Sequence, residues 1–268
     1  MKNKKDSPKP LVLDFWLKGY MADKKWKTKI GDSSDERTVV RGYNLMDLIG
    51  RLSFSEMIFL ELRGKLPNEK EKKMMDAILV STVEHGIAPP SITAARTAFS
   101  GGNPISAGVA AGVLAIGEHH GGAIEQAAKV YQENLLKSAD EVVKDYRTKR
   151  MRLPGYGHKI YTIDPRTVKM FQVAEDLGIF GHHCRFAQEV EKSLEKDLGR
   201  KLCLNVDGAI AAIISDMGFD WRLGKGFFII SRTVGIIAHL HEEWTTEPPF
   251  RRLDKTEYDY LGEEGKKL

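Results

Sequence analysis

Along this chain the apolar residues recur mostly at three- and four-residue intervals, separated by residues that start or stop helices, so the pattern predicts a mainly α fold. The first forty residues are polar and charged. From there RGYNLMDLIGRLSFSEMIFLELRGKLP, residues 41–67, alternates short apolar periods with helix punctuation. Ser53 and Glu56 have capping-box spacing, and Gly64 suits the left-handed residue at a helix end. Asn68 can cap the next helix, on which Met75, Ile78, Leu79 and Thr82 share a face. Residues 105–117, ISAGVAAGVLAIG, predict a helix rich in Gly and Ala whose small side chains let neighbours approach, and which is therefore expected to be buried. Helical periodicity returns over residues 122–137, 167–177 and 185–198. Strand-like alternation is scarce. Residues 144–160, KDYRTKRMRLPGYGHKI, break the helical pattern with dense cations followed by Pro154, Gly155 and Gly157, which reads as a loop. Only the final EEGKKL reads as a solvated tail, and no internal repeat is visible.

Composition adds bounds to this picture. With 268 residues, 42% hydrophobic and 29% charged, the chain is an ordinary globular protein large enough for one large domain or two unequal ones. A net charge of +4 with no aromatic-studded basic module does not point to nucleic acid and suits anionic small molecules. Cys184 and Cys203 make neither a disulfide framework nor a zinc signature, so a reducing cytoplasm is the expected setting. The basic start MKNKKDSPKP runs into LVLDFWLKGY, where Asp14 and Lys18 interrupt the apolar core a signal peptide needs. No apolar run approaches the ~20 residues that cross a bilayer, so no membrane partner is expected.

Four segments place His, Asp or Arg beside permissive Gly or Pro: VEHGIAPP, GEHHGGA, LPGYGHKIYTIDPR and LNVDGAI. Two more, ISRTVGIIAHLHEEW and PPFRRLDKTEYDY, supply arginines. Imidazole and carboxylate beside glycine suit proton transfer at a carbonyl, because the substrate must approach the backbone and meet poised acids and bases. Arginines add two-pronged carboxylate recognition. Taken singly, each residue has a structural reading too. His85 or His120 before glycine can close a helix end, Asp207 can be a turn or cap residue, and Arg232 can be an ion-pair partner. The close histidine pairs, His119 with His120, His182 with His183 and His239 with His241, lack the i, i+4 spacing of a zinc helix, so no metal is expected.

Taken together, RGY, LPNE, EHG, HHGGA, PGYGH, DPR, LNVDG, SRTVGIIAH and FRR, running in this order from Arg41 to Tyr260, resemble the citrate synthase superfamily. The chain looks more like its citryl-CoA lyases, and like the lyase module at the end of ATP-citrate lyase, than like the longer citrate synthases. The resemblance implies a two-domain helical fold, with a large domain of residues 1–123 and 223–268 and an inserted small domain of residues 124–222 that binds coenzyme A. It implies cleavage of citryl-CoA to acetyl-CoA and oxaloacetate. A short citrate synthase or 2-methylcitrate synthase is the alternative, and a non-catalytic CoA-binding protein of the same fold a second one.

By the same resemblance His120 meets the thioester carbonyl, His158 the oxaloacetate carbonyl, and Asp207 moves the proton of the acetyl carbon. His85, Arg166 and Arg232 grip the dicarboxylate, and Arg251, with Arg252 as the other choice, reaches across a two-fold interface of a homodimer or higher homo-oligomer. Coenzyme A enters as part of the substrate, not as a resident cofactor. The resemblance places it against the turn of Pro154, Gly155, Tyr156 and Gly157, with its phosphates near cations such as Arg152 and Lys201, Arg150 and Arg200 being further choices. No ATP-grasp or phosphohistidine motif is visible, so citryl-CoA is expected from a separate citryl-CoA synthetase.

Overall fold

The computed structural model describes residues 26–158 and 161–267, so the N-terminal segment read above, with Asp14 and Lys18, lies outside the described residues. The chain divides into two compact units, residues 1–51 and residues 52–268. In the first, β1 (Gly31–Ser33), β2 (Thr38–Val40) and β3 (Tyr43–Asn44) form an antiparallel sheet in sequential order, with Gly31 opposite Val40 and Val40 opposite Tyr43. Arg41 and Gly42 both take positive φ, 50° and 90°, as a two-residue hairpin loop requires. This sheet was not legible in the alternation, because its strands are two or three residues long. Asn44 then caps the short helix α1 (Leu45–Leu48).

The second unit is helical: α2 (Phe54–Arg63), α3 (Glu69–Thr82), α4 (Pro90–Ser100), α5 (Ile105–Leu114), α6 (Ala123–Asn134), α7 (Ala139–Thr148), α8 (Pro165–Asp176), α9 (His182–Leu198), α10 (Val206–Asp216) and α11 (Gly224–Thr246). Ser53 with Glu56 and Asn68 with Glu71 form full capping boxes, and Gly64 ends α2 in the left-handed region. Helix α10 is the central rod. Every residue from Gly208 to Ser215 is buried, and α6, α8 and α9 pack around it. A second, smaller apolar cluster joins α4 to α11 through Ile92, Ala95, Ile236 and Leu240.

Several expectations are corrected here. Helix α7 runs to Thr148, so the cationic loop starts at residue 149 and not at 144; the capping box of Ser138 and Glu141 was the overlooked signal. Asn205, not Asp207, caps α10, which puts Asp207 in its first turn. Helix α5 is not buried all round. Its Gly108 and Gly112 stripe is; a Cβ at Gly112 would sit 2.8 Å from the Ser91 carbonyl oxygen. Leu114 on the opposite side, and Ile105 at the first residue, are exposed. Finally, Trp221–Thr246 is long and apolar enough by composition to cross a membrane. It is nevertheless a packed helix with Phe227, Arg232, Ile236 and Glu243 buried against protein.

Candidate active site

Four turns carry the polar groups of the site. In the turn between α3 and α4, Gly86 takes φ 74° and the His85 imidazole is left exposed. In the turn before α6, Gly121 takes φ 78°, and a Cβ there would come within 2.5 Å of the Phe228 ring. Glycine therefore lets His120 settle edge-on against Phe228 at 5.4 Å, while its Nε2 lies 2.8 Å from the hydroxyl of buried Ser91 in the first turn of α4.

The third turn, Pro154 to His158, is stitched to the segment that starts α10. Gly157 N–H donates to the Cys203 carbonyl at 2.7 Å, Asn205 N–H to the Gly155 carbonyl at 3.0 Å, and Asn205 Nδ2 to the Gly157 carbonyl at 3.0 Å. A Cβ on Gly155 would fall 2.7 Å from the Cα of Gly208, so this seam closes only between two glycines. The result brings His158 to the N-terminus of α10. Tyr161 stacks at 4.6 Å on the His158 ring, and its backbone N–H donates to Nδ1 at 3.1 Å.

The fourth turn is the start of α8. Buried Asp164 caps the helix by accepting the Arg166 N–H, holds the Arg166 guanidinium through Nε at 3.1 Å and Nη2 at 2.9 Å, and accepts the Val206 N–H at 3.1 Å. Burial would raise the Asp164 carboxyl, but these bonds hold it below its ordinary value. One carboxylate thus aims Arg166 at the first turn of α10.

Electrostatics ties the four turns together. Arg232, 3% exposed on α11, donates from Nε to the Thr82 carbonyl at 3.0 Å and lies 4.8 Å from the Phe228 ring centre. Its Nη1 is buried without a hydrogen-bond partner among the described residues. Burial first, then the charge of Arg232 and of His85, push the His120 imidazole below its ordinary value, so it stays neutral near pH 7. Burial raises the Asp207 carboxyl; Asp164 adds to this, and Arg166, Arg232 and His158 oppose it. Six residues singled out from the sequence, His85, His120, His158, Arg166, Asp207 and Arg232, therefore sit in one mutually felt field.

The other candidates fall elsewhere. A cleft of about 470 Å³ is lined by Arg152, Tyr156, Gly157, His158 and Arg200, with Val143 and Leu198 among its apolar walls. Lys201 does not line it; Lys201 lines a separate recess with Asp164 and Thr167. Gly155 is buried and Pro154 half-buried, behind the cleft surface. The Tyr156 hydroxyl is engaged by Tyr131 and donates to the Ala187 carbonyl, both at 3.0 Å, so the ring is an anchor of the turn. Within the single chain Arg251 is engaged by Glu243, whose Oε2 accepts from Nε at 2.8 Å and Nη2 at 2.7 Å, and its N–H donates to Ser100 Oγ. Ser91, Asp164, Asn205 and Phe228 went unnoticed in the sequence. Asp164 before Pro165 and Asn205 before the α10 start had cap signals; Ser91 and Phe228 had none.

Residues 62–252 match the family described as citrate synthase, C-terminal domain. The fold superposes on citryl-CoA lyase from Hydrogenobacter thermophilus with a TM-score of 0.87 and 51% identity, over 91% of this chain and 97% of that one. ATP citrate lyase from Methanothrix soehngenii, in complex with citrate and coenzyme A, shares the fold at a TM-score of 0.77 and 23% identity, over 98% of this chain and 47% of that one. A probable ATP-citrate synthase of Dictyostelium discoideum is 32% identical over 222 residues, 74% of this chain and 33% of that protein. A citrate synthase of Heyndrickxia coagulans is 28% identical over 207 residues, 75% of this chain and 55% of that protein. The chain thus spans between a third and a little over half of these curated relatives. Since the matched span contains all four turns, α11 and Arg251, the chain belongs to the citrate synthase family.

Proposed function

We propose that this protein cleaves citryl-CoA to acetyl-CoA and oxaloacetate. The observation that carries the reading is Asp207: a carboxyl whose ionisation burial opposes, in the field of Arg166, Arg232 and His158. Breaking the citryl bond leaves a thioester enolate, whose carbon must receive a proton. A carboxyl that holds its proton more tightly than usual is suited to give it. His120 supports the enolate. Its Nε2 lies 2.8 Å from the Ser91 hydroxyl; in the tautomer this reading needs, that hydroxyl donates to Nε2 and the neutral ring presents Nδ1–H to the thioester oxygen, where charge develops. His158 faces the tertiary hydroxyl through Nε2. To take that proton the ring must carry its own on Nδ1, so the Tyr161 N–H gives way in the working complex. Arg166, Arg232 and His85 grip the substrate carboxylates, and the unpartnered Nη1 of Arg232 is the group whose burial an anion offsets best.

Coenzyme A lies along the cleft of Arg152, Tyr156, Gly157 and Arg200. The seam with Leu204 pairs the groups on either side of Tyr156, which leaves Tyr156's own N–H and C=O directed away from that pairing and toward an adenine. Residues 124–222, which hold this cleft, α7 to α10 and all of α6 but its first residue, form the inserted small domain, and within the second unit residues 52–123 and 223–267 belong to the large one. The similarity to a citryl-CoA lyase over 97% of that chain supports cleavage over synthesis. The test supplies citryl-CoA in one arm, and acetyl-CoA, oxaloacetate and a thiol reagent in the other. Efficient turnover confined to citryl-CoA supports the lyase. Sustained CoA release in the second arm makes the protein a short citrate or 2-methylcitrate synthase. CoA binding with neither reaction makes it a non-catalytic member of the fold.

The protein works as a homodimer with shared sites. Val234 and Ile237, exposed apolar residues one turn apart on α11, are part of the surface a second copy covers. Arg251 then leaves Glu243 to reach citryl-CoA held by the partner. Mixing inactive Asp207→Asn protein with inactive Arg251→Ala protein restores activity, to at most half per mixed dimer, if the arginine crosses; with exchange verified, no recovery refutes the sharing.

A further inference from the structure

Helix α11 runs along the C-terminal end of α3 as a series of backbone contacts. The Ser231 hydroxyl donates to the Leu79 carbonyl, Arg232 Nε to the Thr82 carbonyl, and Gly235 comes so close to Val83 that a Cβ would stand 2.3 Å from its carbonyl oxygen. The same Cβ would lie 2.9 Å from Glu84 Oε2. One turn further along the same face, His239 Nε2 lies 3.2 Å from Glu84 Oε1. That oxygen also accepts the N–H groups of His85 at 2.8 Å and Gly86 at 2.5 Å. With Glu84 as acceptor, Nε2 carries the ring proton. The other ring nitrogen, Nδ1, is buried without a hydrogen-bond partner among the described residues, 3.6 Å from Glu242 Oε2.

The His85 imidazole is exposed, so its place is decided by the backbone that carries it. That backbone is a turn through Gly86 at φ 74°, a conformation glycine adopts freely, and the Glu84 carboxylate ties its two N–H groups. Three contacts nearer the start of α11 already join the helices, so the bond from His239 to Glu84 fixes the turn and not the packing of α3 on α11.

We propose that Glu84 and His239 are positioning residues, which lock the turn of His85 and Gly86 against α11 and so hold the His85 imidazole where it grips the substrate. This rests on the citryl-CoA reading, in which His85 binds a carboxylate through both ground and transition states. Loss of the lock then raises KM and leaves kcat nearly unchanged. In the full-length protein, His239→Leu raises KM for citryl-CoA about tenfold with kcat within about twofold. His239→Gln, whose amide nitrogen can donate to Glu84 from the place of Nε2, restores KM to within about twofold. In parallel, hydrogen exchange of the His85 and Gly86 amides is faster in His239→Leu and returns to the wild-type rate in His239→Gln. If His239→Leu does not fold, Glu84→Ala, at an exposed residue, removes the bond from His239 together with those from the His85 and Gly86 N–H groups, and raises KM and exchange at least as much. Wild-type KM and exchange in the leucine variant, or a fall in kcat at unchanged KM, overturns the proposal. A wild-type protein that does not cleave citryl-CoA sinks the functional reading instead, and the exchange rates alone then support or overturn the lock.

Discussion

Two buried arginines meet α11, and the protein treats them in opposite ways. Arg96 of α4, 4% exposed at its side chain, donates from Nε to Glu243 Oε2 at 2.5 Å and from Nη1 to Glu242 at 3.2 Å, and Arg251 shares the same Glu243 oxygen. Burial would raise the Glu243 carboxyl, but the two arginines hold it below its ordinary value. Arg232 is equally buried, yet its Nε meets only a backbone carbonyl, and no carboxylate among the described residues is in ion-pair contact with it. Burial lowers its guanidinium from the ordinary value, while the neighbouring Asp207 carboxyl is raised. In the first region charges are neutralised within the protein, which is a structural use. In the second they are kept short of partners, which is costly to the fold and suits a site that an anion completes.

The difference can be broken by exchanging what each region does. The largest effect is expected for Asp207→Asn, which lowers turnover by about 10²-fold or more while CoA binding by calorimetry stays within a few-fold. The same variant should melt higher at pH 7. A carboxyl raised in the fold contributes stability below its unfolded value and loses it as pH rises through the folded one, and asparagine escapes that loss. Turnover within a few-fold of wild type would remove Asp207 from the mechanism.

Arg232→Leu comes next: kcat/KM for citryl-CoA falls by about 10²-fold, the order for a charged, desolvated contact, and Tm falls less than in Arg96→Leu because no carboxylate among the described residues is in ion-pair contact with Arg232. Arg96→Leu reverses the pattern. It leaves Glu243 buried beside Arg251 alone, which costs about 3 kcal/mol and lowers Tm by about 6–12 °C, with kcat/KM changed far less than by Arg232→Leu. If the two variants share one pattern, the comparison fails. The smallest effect is in Glu243→Gln. A carboxyl depressed in the fold contributes stability above its unfolded value and loses it as pH falls through the folded one. The Tm deficit of this variant at pH 7 should therefore narrow as pH drops below the ordinary value of 4.5. A deficit that stays constant from pH 7 to pH 3 counts against the ion-pair account.

Helix identity was legible wherever local chemistry decides it. Ser53, Gly64 and Asn68 punctuate α2 and α3 as their side chains and backbone freedom dictate, since capping is satisfied within four residues. The order of EHG, HHGGA, PGYGH, DPR, LNVDG and SRT was legible as well, and it named six residues that the fold draws into one field. Helix α4 went unread because it starts on two prolines with no side-chain cap, and α7 because its cations masked the period.

What the sequence determined by itself is therefore the set of reactive groups, most helix boundaries and the glycines that let chains approach. Only the tertiary structure decided that Ser91 meets His120 Nε2, that the Asp164 carboxylate holding Arg166 also accepts the Val206 N–H, and that Arg96 is neutralised while Arg232 is not. The physical reason is range. Caps and turns act between residues a few positions apart, whereas the partner of a buried charge lies 147 positions away for Arg96 and 150 for Arg232, and no local pattern records it.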